Sequence, residues 1–101
     1  MAKLHQEWCG EYEERTVEQA HCILNDGSGP IFVSADDEEF ESPDDTTCFS
    51  VGDPEHEDST ERFQFVVAND EDTVATFRKA SDALWFAMQV TDKAAELVPK
   101  L

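Results

Sequence analysis

The sequence predicts an α+β fold: a small antiparallel sheet of four or five strands with a C-terminal helix packed on one face. Three observations predict it. Two β-rich runs flank a turn at residues 69–72, apolar positions recur at helical spacing through residues 82–97, and a third β-rich piece stands between two acidic stretches. At 101 residues the chain is expected to form a single domain spanning 1–101.

The N-terminal third supports two readings. Thr16 and Gln19 have capping-box spacing, and Val17, Ala20, His21 and Leu24 fall on one helical face, with Asn25-Asp26-Gly27 as the stop. In the rival reading, residues 21–24 form a strand that turns through Asp26-Gly27-Ser28-Gly29 into a second strand at 30–34. Two short apolar runs around a Gly-rich turn favour this hairpin. Trp8 and Tyr12 are expected to pack near the start of the fold.

Thr46-Thr47-Cys48-Phe49-Ser50-Val51 alternates in polarity and reads as a short strand. Residues 62–68 (Arg-Phe-Gln-Phe-Val-Val-Ala) are rich in aromatic and β-branched side chains, as a strand requires. Asn69-Asp70-Glu71-Asp72 has turn chemistry, and residues 73–78 return as the second arm of a hairpin. Ser81 then offers an N-cap, with Asp82 in the first helical turn. Ala83, Phe86, Ala87, Val90, Ala94 and Leu97 make one apolar stripe, and Leu84, Trp85 and Met88 make a second. A helix apolar on two sides is expected to be covered on more than one side. Pro99 lies beyond its end. Hairpin and helix together span 62–98.

Charge separates the middle of the chain from its flanks. With 24 acidic and 7 basic residues the formal net charge is −17. Residues 1–35 carry six acids against two bases, and residues 62–101 carry six against five. Residues 36–61 carry twelve acids and no base: Asp36, Asp37, Glu38, Glu39, Glu41, Asp44, Asp45, Asp53, Glu55, Glu57, Asp58 and Glu61. This segment also holds Pro43, Pro54 and Gly52, so it reads as loops around the short strand. High net charge accompanies disorder only when hydrophobicity is low. Here 40% of residues are hydrophobic and 10% aromatic, enough for a core. Like charges repel in the compact state, so stability is expected to rise with added salt.

The same charge excludes several roles. Gripping a phosphate backbone, or an anionic membrane surface, requires Lys and Arg. The longest apolar run, Ala83 to Met88, falls far short of the roughly 20 residues that span a bilayer. The N-terminus lacks the apolar core of a secretion signal, which predicts a cytoplasmic protein. Cys9, Cys22 and Cys48 are three in number and far apart, and are read as reduced thiols. A zinc site assembled from His5, Cys9, His21, Cys22, Cys48 and His56 lacks any C-x-x-C, and His21 and Cys22, as neighbours on a strand, would aim apart. No run of acids has EF-hand spacing. No nucleophile elbow, Walker loop or dinucleotide fingerprint occurs. Carboxylates in a polar loop stay ionised, whereas acid–base catalysis needs one with a raised pKa. The chain is therefore expected to be no enzyme and to need no metal or other cofactor.

What remains is a use for the charge itself. Carboxylates held on a fold present a defined negative potential, and a basic groove built for duplex DNA would accept it. In size and charge the chain resembles the phage-encoded inhibitors of CRISPR and restriction enzymes and related DNA mimics. That resemblance implies an acidic inhibitor occupying the basic surface of a nucleic-acid-binding protein or complex, in the cytoplasm of the host cell. The twelve acids of 36–61 would be the partner-binding surface. Trp85 and Phe86 would supply apolar contacts or a homodimer interface. An adaptor on a basic partner is the alternative. A salt-adapted acidic domain is a third reading, but adaptation spreads charge, whereas here about 70% of the net charge lies in about a quarter of the chain.

Overall fold

The computed structural model describes residues 2–35, 40, 48–52, 65–69 and 72–92. Strands β1 (Lys3–Trp8) and β2 (Glu11–Arg15) form a hairpin, followed by helix α1 (Val17–Asn25). Strands β3 (Ile31–Ser34), β4 (Cys48–Gly52), β5 (Phe65–Asn69) and β6 (Asp72–Phe77) follow, and helix α2 (Ala80–Asp92) completes the order. All neighbours pair antiparallel in one sheet, β2-β1-β3-β4-β5-β6. The class is α+β, with α2 packed on the sheet as expected, but the strands number six rather than four or five. The additional pair is β1–β2. Its two-residue turn, Cys9-Gly10, has φ +55° and +86°, the positive pair that a type I′ turn demands.

Residues 21–25 are helical, which corrects the expected strand at 21–24. Both arms of the capping box form: the Gln19 backbone N–H donates to Thr16 Oγ1 at 3.1 Å, and the Thr16 backbone N–H donates to Gln19 Oε1 at 2.9 Å. The Gly-rich turn that suggested a hairpin is the cap at the other end. Gly27 N–H donates to Leu24 O at 3.1 Å and Ser28 N–H to Ile23 O at 2.9 Å, with Gly27 at φ +78°. This is the Schellman arrangement, which needs a residue tolerant of the left-handed region. Ala20 and Leu24, four apart, are the buried side chains of α1.

The hairpin β5–β6 forms as expected, with a bulge at Val67/Ala68. Helix α2 begins before Ser81: Ala83 N–H donates to Lys79 O at 3.2 Å, so Lys79 and not Ser81 holds the cap position. The expected continuation of this helix to residue 97 lies outside the described residues.

One face of the sheet, here called inner, carries Leu4, Ile31, Val33, Phe49, Val51, Phe65 and Val67, which join Ala20, Leu24, Ala80, Ala83, Leu84, Ala87 and Val90 of the helices in one buried cluster. Three alanines on α2 let that helix approach the strands closely. Near its end, the Thr91 hydroxyl donates to Ala87 O at 2.6 Å, with Val33 O of β3 at 3.4 Å. Strand β3 is buried at all four positions, so its outer face is covered as well.

Candidate functional site

The twelve acids proposed as a partner-binding surface, Asp36, Asp37, Glu38, Glu39, Glu41, Asp44, Asp45, Asp53, Glu55, Glu57, Asp58 and Glu61, all lie outside the described residues. The structure does describe where their segments are tied. Seven fall between β3 and β4, and five between β4 and β5. One connection enters β4 at Cys48 and the other leaves it at Gly52, so they attach to opposite ends of this strand. The four residue-to-residue rises along this five-residue strand, about 3.3 Å each, put those ends roughly 13 Å apart.

Phe40 is the one described residue between Ala35 and Cys48, and it sits in the middle of the first acidic connection. Its ring stacks on His5, with centroids 4.1 Å apart and planes within 8°. Tyr12 meets it edge-on at 5.0 Å and Phe32 lies at 6.5 Å, while Tyr12 also meets Phe32 edge-on at 5.5 Å. The strand register explains the grouping. His5 pairs with Phe32 across β1–β3, and alternation puts both on the face opposite Leu4 and Val33. Tyr12 pairs with Glu7 on that same outer face. His5 Nε2 and Ser34 Oγ share a hydrogen bond of 3.1 Å, which helps hold the imidazole plane. Each aromatic pair of this kind contributes about 0.5–1.5 kcal/mol beyond the area it buries. Phe40 is thereby fastened to three strands, with Glu39 and Glu41 as its chain neighbours.

Described acids border the same cluster. Register places Glu7 and Glu14 on the outer face beside Tyr12 and His5. Lys3 Nζ approaches Glu14 at 4.0 Å, an exposed contact of little energetic weight. Sequence reasoning had no means of joining His5 to Phe40. The available signal was the alternation of residues 3–8, which places Leu4 and His5 on opposite faces. Of the two aromatics expected to pack near the start of the fold, Tyr12 does so against Phe32 and Phe40, whereas Trp8 is 59% exposed at the end of the hairpin.

On the helical side the structure separates Trp85 from Phe86. Phe86 is half-buried, its ring 5.4 Å from that of Phe77 on β6. Trp85 is 65% exposed, so the second stripe of α2 is covered at Leu84 and left open at Trp85. One residue is a 100° rotation on a helix, enough to turn adjacent aromatics to different surroundings. Beside Trp85, between α1 and α2, runs a groove of about 300 Å³ lined by Val17, Glu18, His21, Ser81, Leu84, Trp85 and Met88.

The candidate metal ligands are dispersed. His5 is on the outer face of β1, Cys9 in the first turn, His21 and Cys22 on α1 and Cys48 on β4, while His56 lies outside the described residues. Among the described residues no three His, Cys, Asp or Glu side chains converge, and Cys9 and Cys22 are exposed free thiols. No described helix is long and apolar enough to cross a membrane. In comparison with known proteins, no family model, curated protein or solved structure gives a significant match to this chain.

Proposed function

We propose that this protein is a non-enzymatic acidic inhibitor that mimics nucleic acid. It occupies the basic nucleic-acid-binding surface of a nuclease or effector complex, in the manner of an anti-CRISPR or anti-restriction protein. The observation that carries the reading is the anchorage of Phe40. A segment with twelve acids and no base could serve merely as a solvated tail. A tail spreads its charge, whereas Phe40, stacked on His5 and edged by Tyr12, gives this acidic segment a point of contact with the sheet. Glu7 and Glu14 add charge to that same face. Fixed carboxylates suit Arg-rich grooves, because charge-assisted hydrogen bonds need defined donor and acceptor positions. They also steer fast association that weakens as salt rises.

The test measures duplex-DNA binding by a panel of guide-RNA-loaded CRISPR effectors and restriction endonucleases while the protein is titrated in. At least one member is expected to lose DNA binding, less so at higher salt. A variant carrying Asp36→Lys, Asp37→Lys, Glu38→Lys and Glu39→Lys is expected to lose this block while retaining a wild-type circular dichroism spectrum. An undiminished block by that folded variant removes the mimic reading. A stable complex whose basic partner binds DNA with unchanged affinity would identify an adaptor instead.

A further inference from the structure

We propose that the groove between α1 and α2 is a docking site for a basic amphipathic helix of a partner protein, anchored on Trp85. The proposal does not depend on the mimic reading, because the groove lies on the helical layer and Phe40 on the opposite sheet face.

Single exposed apolar side chains are ordinary on a protein surface. Here two of the three large ones among the described residues, Val17 at 51% and Trp85 at 65%, flank the same depression. Leu84 is buried and forms its base, and Met88 is half-buried beside it. At about 300 Å³ the groove is at the small end for a compact ligand, and it has room for a few side chains of a peptide. Its spacing favours a helix as occupant. Val17 and His21 are one turn apart on α1, and Ser81, Leu84, Trp85 and Met88 climb one side of α2. Two such ridges leave a trough that accepts apolar side chains at i, i+3, i+4 and i+7 of a third helix.

Charge decides the sign of the partner. Glu18 lines the groove, and Asp82 lies one turn before Trp85 on α2. Arg78 and Lys79, the two bases that precede α2, do not line it. The chain as a whole carries −17, so a second copy approaching this face is repelled and a cationic helix is attracted. An Arg or Lys of that helix can lie over the Trp85 indole in a cation–π contact, and the flexible Met88 thioether can fit whatever apolar side chain enters.

The experiment uses the full chain carrying Trp8→Phe, which leaves Trp85 as the only tryptophan. The probe is a peptide of about five helical turns with Leu on one face and Lys and Arg on the other. Its control has the same composition with the Leu residues scattered round the helix. The amphipathic peptide is expected to bind about tenfold more tightly or better, with a blue shift of Trp85 emission. Fluorescence anisotropy of the labelled peptide is expected to show that Trp85→Ala and Val17→Asp each erase this advantage. Both positions are exposed, so thermal melts of these variants should match the parent. Equal binding of the scattered control would overturn the proposal, as would an advantage that survives both substitutions. Sedimentation showing a dimer that shields Trp85 at micromolar concentration would overturn it too, since the occupant would be a second copy.

Discussion

The two faces of this sheet are covered by different means. The inner face is covered by regular elements, whose alanine-lined α2 and capped α1 meet apolar strand positions in one continuous cluster. Where it is described, the outer face is covered by an aromatic group drawn from β1, β2, β3 and the single residue Phe40. The inner cluster is dominated by chain-local periodicity and by area removed from water. The outer cluster depends on ring geometry between residues far apart in sequence. The difference teaches that one sheet can be closed in two ways: the helical layer packs a continuous apolar core, and the aromatic group fastens the single residue Phe40 to three strands.

Substitutions can break or sharpen this contrast. The largest effect is expected at Phe49, which is fully buried on the inner face. Phe49→Ala should cost about 3–5 kcal/mol and shift the urea midpoint sharply. Phe40→Ala removes a half-buried ring on the outer face, and should cost roughly 2 kcal/mol in the same urea titration. Under the mimic reading it should also weaken inhibition by more than its stability loss explains, because the acids lose their mooring. Equal destabilisation at the two positions would erase the contrast between the faces.

Smaller effects test the local devices. Thr16→Ala removes one arm of the capping box and should cost about 1 kcal/mol. A double-mutant cycle with Gln19→Ala should show that the two losses do not add, since each residue supports the other's hydrogen bond. The smallest expected change is a gain. Cys9 sits at φ +55° in the first turn, where Asn is tolerated better than most residues. Cys9→Asn should raise stability by a few tenths of a kcal/mol, read as a small rise in melting temperature. A fall instead would show that Cys9 makes a contact that outweighs its backbone strain.

Particular residues show why parts of the fold were legible and others were not. The β5–β6 hairpin was readable because Phe65, Val66 and Val67 lie next to a polar turn, and composition alone reports both. For α1 the correct signal was present in Thr16 and Gln19, but Gly27-Ser28-Gly29 supports either a hairpin turn or a helix cap. Only the hydrogen bonds to Leu24 and Ile23 distinguish the two. The β1–β2 hairpin lacked the usual Asn-Gly or Asp-Gly turn, and Cys9-Gly10 does the same work with a less common residue. For the candidate site, the acidic positions were visible at once, since charge is a property of composition. The split of Trp85 from Phe86 was not, because it depends on what packs against each side of α2.

By itself, then, the sequence determined the α+β class, β4, the last hairpin, the presence of α2 and the concentration of negative charge in residues 36–61. Each of these follows from near neighbours along the chain. Tertiary structure alone decided that Phe40 lies on His5 and that Trp85 opens onto a groove beside Val17. These depend on strand order and register, which bring distant residues together and leave no trace in local periodicity.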